Sequence, residues 1–278
     1  MHALHARLPK HFVLEERLER YADAIEICPT DYAGRWAEAC APLTADGPQV
    51  YREVHLDLGC GKGGFTVEMA QRHPDILFIG VDFEPICIAY AGEKAIKGGL
   101  KNMVLVPATG DGLDKIFGAG ELSRIYLNFP TPFPKKKQAK LRLTYLDRLL
   151  EYRQLLTAGA TVLLKTDSYP LWRFSQTQFE LAGYETTWQS TDARAERPDD
   201  VMSWYEERLS SQGATVYAIE AKPGKLPEHV EQTASLSLVD YLPDDLDQMA
   251  RTYVPHGMQG TVTNLINQRL KAEAQGRI

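Results

Sequence analysis

The sequence predicts an α/β fold, a doubly wound and mostly parallel sheet of seven strands with helices on both faces, and three observations predict it. From Val54 onward short apolar runs alternate with helical stretches, the pattern of parallel strands joined by crossover helices. The first run, 54–58, enters a glycine-rich turn that opens a helix, which is where such sheets place a ligand. Size and composition allow it: 278 residues, 44% hydrophobic and 24% charged, suit one large domain with appendages, or one domain with a small companion.

Taken in order, residues 1–50 read as an N-terminal appendage: a charged helix over 14–27, then a segment punctuated by proline and glycine that ends at Asp46-Gly47-Pro48. Residues 51–222 carry the main domain. Strands are expected near 54–58, 77–81, 103–107, 124–128, 160–165, 184–190 and 214–220. Helices are expected near 64–72, 85–97, 143–157, 170–182 and 200–211, with an irregular loop over 191–200 between the last two strands. Residues 223–278 form a C-terminal extension of unassigned role, with an acidic turn at Pro243-Asp244-Asp245 and a helix over 261–274.

No run approaches 18 apolar residues, and the N-terminus lacks the apolar stretch of a signal peptide, so a cytoplasmic location away from membranes is expected. The four cysteines, Cys28, Cys40, Cys60 and Cys87, form no Cys-x-x-Cys pair and join no histidine at metal-ligand spacing. Reduced thiols and no metal follow. A net charge of −6 disfavours an indiscriminate nucleic-acid binder unless the basic residues gather on one face.

The glycine turn runs Asp57-Leu58-Gly59-Cys60-Gly61-Lys62-Gly63-Gly64. Glycine lets backbone approach a ligand where side chains would collide, and the following helix N-terminus favours a polar or anionic group. Gly59, Gly61 and Gly64 fit the dinucleotide pattern G-x-G-x-x-G, and Asp82 follows at roughly 20 residues, as a ribose contact would. Asp57 discriminates. A carboxylate at the end of this strand repels a pyrophosphate but attracts an α-amino group or a sulfonium, and S-adenosylmethionine (SAM) carries both cations and no pyrophosphate. Asp82 ends its strand as Gly80-Val81-Asp82, placed to take both ribose hydroxyls, the plain alternative being a surface-turn aspartate.

The fourth strand leaves as Asn128-Phe129-Pro130-Thr131-Pro132-Phe133-Pro134, where prolines at alternate positions forbid helix and ladder pairing and set a stiff loop over the carboxyl edge. Directly after it Lys135, Lys136, Lys137, Lys140 and Arg142 place five cations within eight residues, a phosphate-binding footprint in an acidic chain. A solvated helix start is the other reading of such a run. Phe129, Phe133 and Tyr126 could stack on a base, although packing serves Tyr126 equally well.

Together these segments resemble the bacterial tRNA (guanine-N7-)-methyltransferase family over roughly residues 25 to 222. The matching stretches are the turn from Asp57 to Gly63, His73-Pro74-Asp75, Phe78-Ile79-Gly80-Val81-Asp82, Ile125-Tyr126-Leu127-Asn128-Phe129-Pro130, Pro134-Lys135-Lys136-Lys137, Arg142-Leu143-Thr144, Leu164-Lys165-Thr166-Asp167 and Ser203-Trp204-Tyr205-Glu206. The resemblance implies a Rossmann-like class I SAM-dependent methyltransferase fold, SAM as methyl donor, tRNA as partner, and transfer to N7 of a guanine in the variable loop. It implies SAM contacts at Asp57 and Asp82, and RNA or base contacts at Lys135, Asp167, Ser203, Tyr205 and Glu206.

The chain departs from the family at Thr131, which stands where the family has the aspartate of an Asp-Pro-Trp-Pro-Lys loop, and at Phe133, which replaces the tryptophan. Thr109 stands where the family has an adenine-side aspartate, with Asp111 two residues later, and Ser203 replaces a threonine. The candidate cofactor residues are therefore Asp57, Gly59, Gly61, Asp82, Thr109, Asp111 and Asn128. Candidate catalytic positions are Thr131, Asp167 and Glu206; candidate substrate contacts are Lys135, Lys136, Arg142, Asp167, Ser203, Tyr205 and Glu206.

Guanine N7 carries a lone pair and no proton, so positioning supplies much of the catalysis and a carboxylate such as Asp167 or Glu206 stabilises developing positive charge. Two other classes stay open: a methyltransferase of another acceptor, suggested by Asn128-Phe129-Pro130, and a weakly active or inactive tRNA-binding relative. His55, His73, Cys60, Trp172, Trp188 and Trp204 read as packing or structural residues.

Overall fold

Strands β2 (Ile76–Asp82) and β3 (Met103–Pro107) are nearly continuous apolar runs, β1 (Glu53–Leu58) alternates apolar residues with Glu53, His55 and Asp57, and nearly every residue in all three is buried. Such runs suit a sheet covered on both sides. In the computed structural model, which describes residues 12–39 and 50–275, they lie in a seven-stranded sheet with β4 (Leu122–Asn128), β5 (Leu156–Thr166), β6 (Tyr184–Ser190) and β7 (Tyr217–Pro223). The order is β3-β2-β1-β4-β5-β7-β6. Pairing is parallel from β3 through β5, and β7 is antiparallel to both β5 and β6.

The period-two alternation of the strands divides the core. Helices α3 (Gly64–Arg72) and α4 (Pro85–Lys97) cover one face, where Phe65, Ala91 and Ile88 meet Phe78 and Met103. Helices α5 (Leu113–Ile116), α6 (Leu146–Leu155) and α7 (Tyr169–Leu181) cover the other, where Leu113, Leu149 and Trp172 meet Leu56, Ile79, Ile125 and Leu164. The N-terminal segment adds α1 (Leu14–Arg20) and α2 (Trp36–Ala39), and Trp36 is fully buried in this second core with its indole N–H donating to the Ile116 carbonyl at 2.8 Å. After β6 come α8 (Ala193–Glu196) and α9 (Trp204–Ser210); the C-terminal extension holds α10 (Leu246–Thr252) and α11 (Gln259–Ala274). Leu238 and Met258 of the extension pack with Ala139, Tyr145, Leu171 and Phe174.

Several boundaries differ from the sequence expectation. The N-terminal helix stops at Arg20 rather than reaching 27, because Ile25 bridges Leu105 of β3 and the Glu26 N–H donates to the Leu105 carbonyl at 2.8 Å. Pairing along the sheet edge outcompetes the helix. Strand β7 occupies 217–223 instead of 214–220, β5 starts at Leu156 directly out of α6, and the helix expected over 200–211 is confined to Trp204–Ser210 by the Ser203 cap. Cys40 lies outside the described residues; Cys28, Cys60 and Cys87 are free thiols. Among the described residues no helix is long and apolar enough to cross a membrane, and no group of three His, Cys, Asp or Glu is arranged to hold a metal.

Candidate active site

The chain leaves β1 for β2 on one side and reaches β4 on the other, so β1 and β4 flank the switch point of the sheet, where α/β folds bind ligands. A cavity of about 530 Å³ opens there. Asp57, Gly59, Gly61, Asn128, Phe129, Ser203 and Tyr205 are among its walls. Asp57 lies at its floor, 1% exposed, with one carboxylate oxygen accepting from the Thr66 hydroxyl at 2.6 Å and the other from the Asn128 amide at 3.4 Å. Burial pushes its pKa up to about 6, against the two hydrogen bonds that hold it down. A buried acid on a cavity floor is a receptor for a cation.

The glycine turn is fixed by tight packing. Gly63 has φ 69°, and a Cβ there would lie 2.7 Å from the Ala91 Cβ, so only glycine lets α3 approach α4 this closely. Asp82 holds the turn from behind: one oxygen accepts from the Gly61 N–H at 2.8 Å and the other from the Glu84 N–H at 2.9 Å. Burial raises its pKa as well.

The loop after β4 is strained rather than simply extended. Phe129 and Phe133 adopt φ 52° and 46°, a left-handed conformation that bulky residues rarely hold without support. Arg142 supplies the support. Fully buried, it donates to the carbonyls of Pro132 at 3.1 Å, Phe133 at 2.7 Å and Leu236 at 2.9 Å, with its guanidinium 4.3 Å from the Phe174 ring centre. The Phe129 N–H also donates to the Lys165 carbonyl at 2.7 Å.

Lys165 reaches the opposite wall. Its ammonium, 3% exposed, pairs with Asp200 at 2.9 Å and so draws residues 200–205 over the cavity. Ser203 then caps α9 by accepting from the Glu206 N–H at 3.1 Å, and the Phe129 and Tyr205 rings meet at 5.6 Å. Trp204, read from sequence as a packing residue, is 61% exposed at the cavity mouth. Trp172, in contrast, is buried with its indole N–H on the Ala218 carbonyl at 3.0 Å.

A family model described as "Putative methyltransferase" matches residues 51–219. The chain is 36% identical over 208 residues to the tRNA (guanine-N(7)-)-methyltransferase of Geobacillus kaustophilus, covering 74% of this chain and 92% of that protein. Against the proteins of the same name from Lactococcus lactis subsp. cremoris (strain MG1363) and Streptococcus uberis it is 34% identical, covering 74% and 77% of this chain and 93% and 99% of those proteins. The chain belongs to the tRNA (guanine-N7-)-methyltransferase family.

As a member of that family, the chain brings some expected residues together and keeps others apart. Asp57, Gly59, Gly61 and Asn128 share the cavity with Ser203 and Tyr205, and Asp82 sits behind Gly61. Thr109 and Asp111 do not reach it: both are exposed, the Thr109 hydroxyl faces Asp111 at 3.4 Å, and Asp111 is ion-paired with Arg148. Thr131 is exposed and borders neither this cavity nor the one beside Asp167. Glu206 is turned inward to an ion pair with Arg194, where it holds the loop before α9.

Asp167 lines that second cavity, accepting from the Tyr253 hydroxyl at 2.6 Å. Lys135, Lys136, Lys137 and Lys140 are exposed, whereas Arg142 is a correction to the basic-run reading: its guanidinium is turned into the core, donates to backbone carbonyls and does not face solution. Sequence reasoning missed Lys165 as an organiser, although a lysine closing an apolar strand is a signal that it needs a buried partner.

Proposed function

We propose that this chain transfers a methyl group from SAM to N7 of a guanine in tRNA. The observation that carries the reading is the buried Asp57 carboxylate on the floor of a cavity that also opens onto Phe129, Trp204 and Tyr205, so a cation receptor and an aromatic acceptor wall share one space. When bound, SAM supplies an electrophilic methyl group. Asp57 would hold its ammonium, the backbone of Gly59 and Gly61 would admit its chain at close range, and Asp82, behind Gly61 and already accepting from two backbone N–H groups, would turn its remaining acceptor capacity to the ribose hydroxyls. The fit rests on the buried Asp57 carboxylate, which attracts a cation and disfavours a pyrophosphate beside it, although Lys62 and Lys94 also line the cavity.

On the acceptor side, Phe129 and Tyr205 offer ring faces to a base, and Asp167 is the carboxylate left to stabilise positive charge as N7 becomes alkylated. Because N7 bears no proton, no general base is required and catalysis rests on alignment. Lys135, Lys136, Lys137 and Lys140, exposed at the end of the strained loop, would meet RNA phosphates. The test is transfer from labelled SAM into bulk tRNA followed by nucleoside analysis. N7-methylguanosine is expected, and its absence while SAM still binds would sink the reading.

A further inference from the structure

Three of the four tryptophans satisfy their indole N–H inside the fold. Trp36 and Trp172 are buried and donate to backbone carbonyls, and Trp188 donates to the Glu196 carboxylate at 3.0 Å with the Arg197 guanidinium 3.6 Å from its ring centre. Trp204 does neither. It is 61% exposed at the mouth of the first cavity, and its N–H has no partner among the described residues. An indole left in water forgoes the burial that tryptophan ordinarily contributes. The backbone that carries it is nonetheless firmly held: Asp200 pairs with Lys165 at 2.9 Å, Val201 is buried, Ser203 caps α9, and Glu206 pairs with Arg194. Trp204 is presented on a rigid support rather than stranded on a loose tip.

Two ammonium groups stand at the same mouth. Lys62, in the glycine turn, and Lys94, on α4, line the cavity together with Trp204. A Cβ at Gly64, the first residue of α3, would lie 3.7 Å from the Lys94 ammonium nitrogen and 3.9 Å from the Trp204 backbone nitrogen, so both converge on one point of the chain. Neither ammonium is ion-paired among the described residues: Lys62 rests 4.7 Å from the Tyr90 ring centre, and burial and the charge of Lys62 hold Lys94 below the ordinary lysine range. Asp57 is the one acid among the described residues lining the cavity, and it lies on the floor, already accepting from Thr66 and Asn128. Neighbouring like charges are unfavourable until an anion joins them.

Resting on the tRNA reading above, we propose that this mouth is a nucleotide subsite for the residue next to the methylated guanine in the RNA chain, its base stacked on Trp204 and its phosphate taken by Lys62 and Lys94. A bare aromatic face beside two unpaired cations matches the chemistry of a nucleotide, a planar ring and a phosphodiester one sugar apart. The subsite leaves Asp57 to the methyl donor, and Phe129 and Tyr205 to the acceptor base. Every base has a π-face, so it reads stacking and charge rather than base identity.

The experiment titrates tRNA into the SAM-loaded full chain while tryptophan emission is followed. Wild type should be quenched and Trp204→Phe should not, since the other three indoles are engaged within the fold. Trp204→Ala should raise KM for tRNA about tenfold, the worth of one stacked base, with a smaller change in kcat, and Trp204→Phe should recover most of that loss. In the double variant Lys62→Gln, Lys94→Gln the slope of log tRNA affinity against log salt should flatten by about 0.9, with SAM affinity in calorimetry unchanged. A tRNA with an abasic nucleotide on one side of the target guanine should cost wild type about tenfold in KM and Trp204→Ala less than about twofold. All three side chains are exposed, so thermal midpoints should stay put. Wild-type KM in Trp204→Ala, or no coupling to an abasic site on either side, would overturn the proposal. So would lysine variants that weaken SAM and leave the salt slope alone, because the ammonium groups would then hold the donor's own carboxylate.

Should wild type transfer no methyl group to tRNA while SAM binds, the transfer reading fails separately and the titrations decide. Quenching by tRNA that Trp204→Phe abolishes, with a salt slope that the lysine variant flattens, supports the subsite, and the absence of either overturns it.

Discussion

The glycine turn and the acceptor side sit on the same edge of the sheet but are held in different ways. At the turn most contacts are short in sequence, Thr66 to Asp57, Gly61 to Asp82 and Glu84 to Asp82, with only the Asn128 amide reaching Asp57 from a distant strand. On the acceptor side they are long: Lys165 to Asp200, Asp167 to Tyr253, Arg142 to Leu236. The first region is a local device that one backbone change can ruin. The second is assembled by docking a tail onto a strained loop, so its geometry depends on residues far from any ligand.

Gly63→Ala should have the largest effect. The added methyl meets Ala91 at 2.7 Å while the backbone stays at positive φ, and the two penalties sum to about 2–5 kcal/mol of stability, readable by denaturant titration. A loss under about 1 kcal/mol would mean that α3 and α4 can separate freely. Next comes Arg142→Met on the acceptor side. Stranding buried carbonyls and releasing Phe129 and Phe133 should cost about 2–4 kcal/mol and lower kcat, with SAM affinity unchanged in calorimetry. An equal loss of SAM affinity would break the separation between the two regions.

That separation explains what the sequence could disclose. The order of strands and helices, the turn, Asp57 and Asp82 were legible because their signals are periodicity and spacing within one βαβ unit. Arg142 was misread because a run of basic residues looks the same whether its last member points to solvent or into a core. The inward turn of Glu206 depends on Arg194, and the shift of β7 depends on antiparallel register with β5 and β6; neither is a local property. The extension was unreadable for the same reason: Tyr253 acquires meaning only once it stands beside Asp167.

Asp57→Asn is the next test in size. It should weaken SAM binding about 10–100-fold, the worth of a hydrogen-bonded buried charge. The same substitution has a pH signature in the ligand-free protein. The folded-state pKa of Asp57 lies near 6, above the ordinary aspartate value of 3.8, so the folded state binds more protons between those values and stability falls as pH rises from about 4 to about 6. Denaturant midpoints across that window should flatten in Asp57→Asn, although Asp82 and Asp167, also raised by burial, leave a residual slope. SAM affinity in the unmodified chain should rise with pH through the same window, because the cation prefers the ionised floor.

Replacing Lys135, Lys136 and Lys137 together by Glu leaves both regions folded and tests the charge of the surface beside them. All three are exposed, so stability should move by less than about 0.5 kcal/mol. Affinity for tRNA should fall about tenfold or more, and the slope of log affinity against log salt should shrink by about 0.9 for each phosphate that the surface no longer neutralises. Unchanged salt dependence would assign the run to solvent.

Thr131→Asp should have the smallest effect, although it introduces the aspartate that the family resemblance implies at this position. Thr131 is exposed and borders neither cavity, so a carboxylate there would act through water, where two unit charges at 4 Å exchange only about 1 kcal/mol. The expected change in kcat/KM toward bulk tRNA is under about fivefold, since Arg142 already fixes the adjoining carbonyls of Pro132 and Phe133 and the substitution does not disturb that clamp. A gain of about a hundredfold would show instead that the loop swings onto the cavity when RNA arrives. The strain at Phe129 and Phe133 would then be a spring released during binding rather than a fixed wall, and the acceptor side would be a moving part set against a static turn.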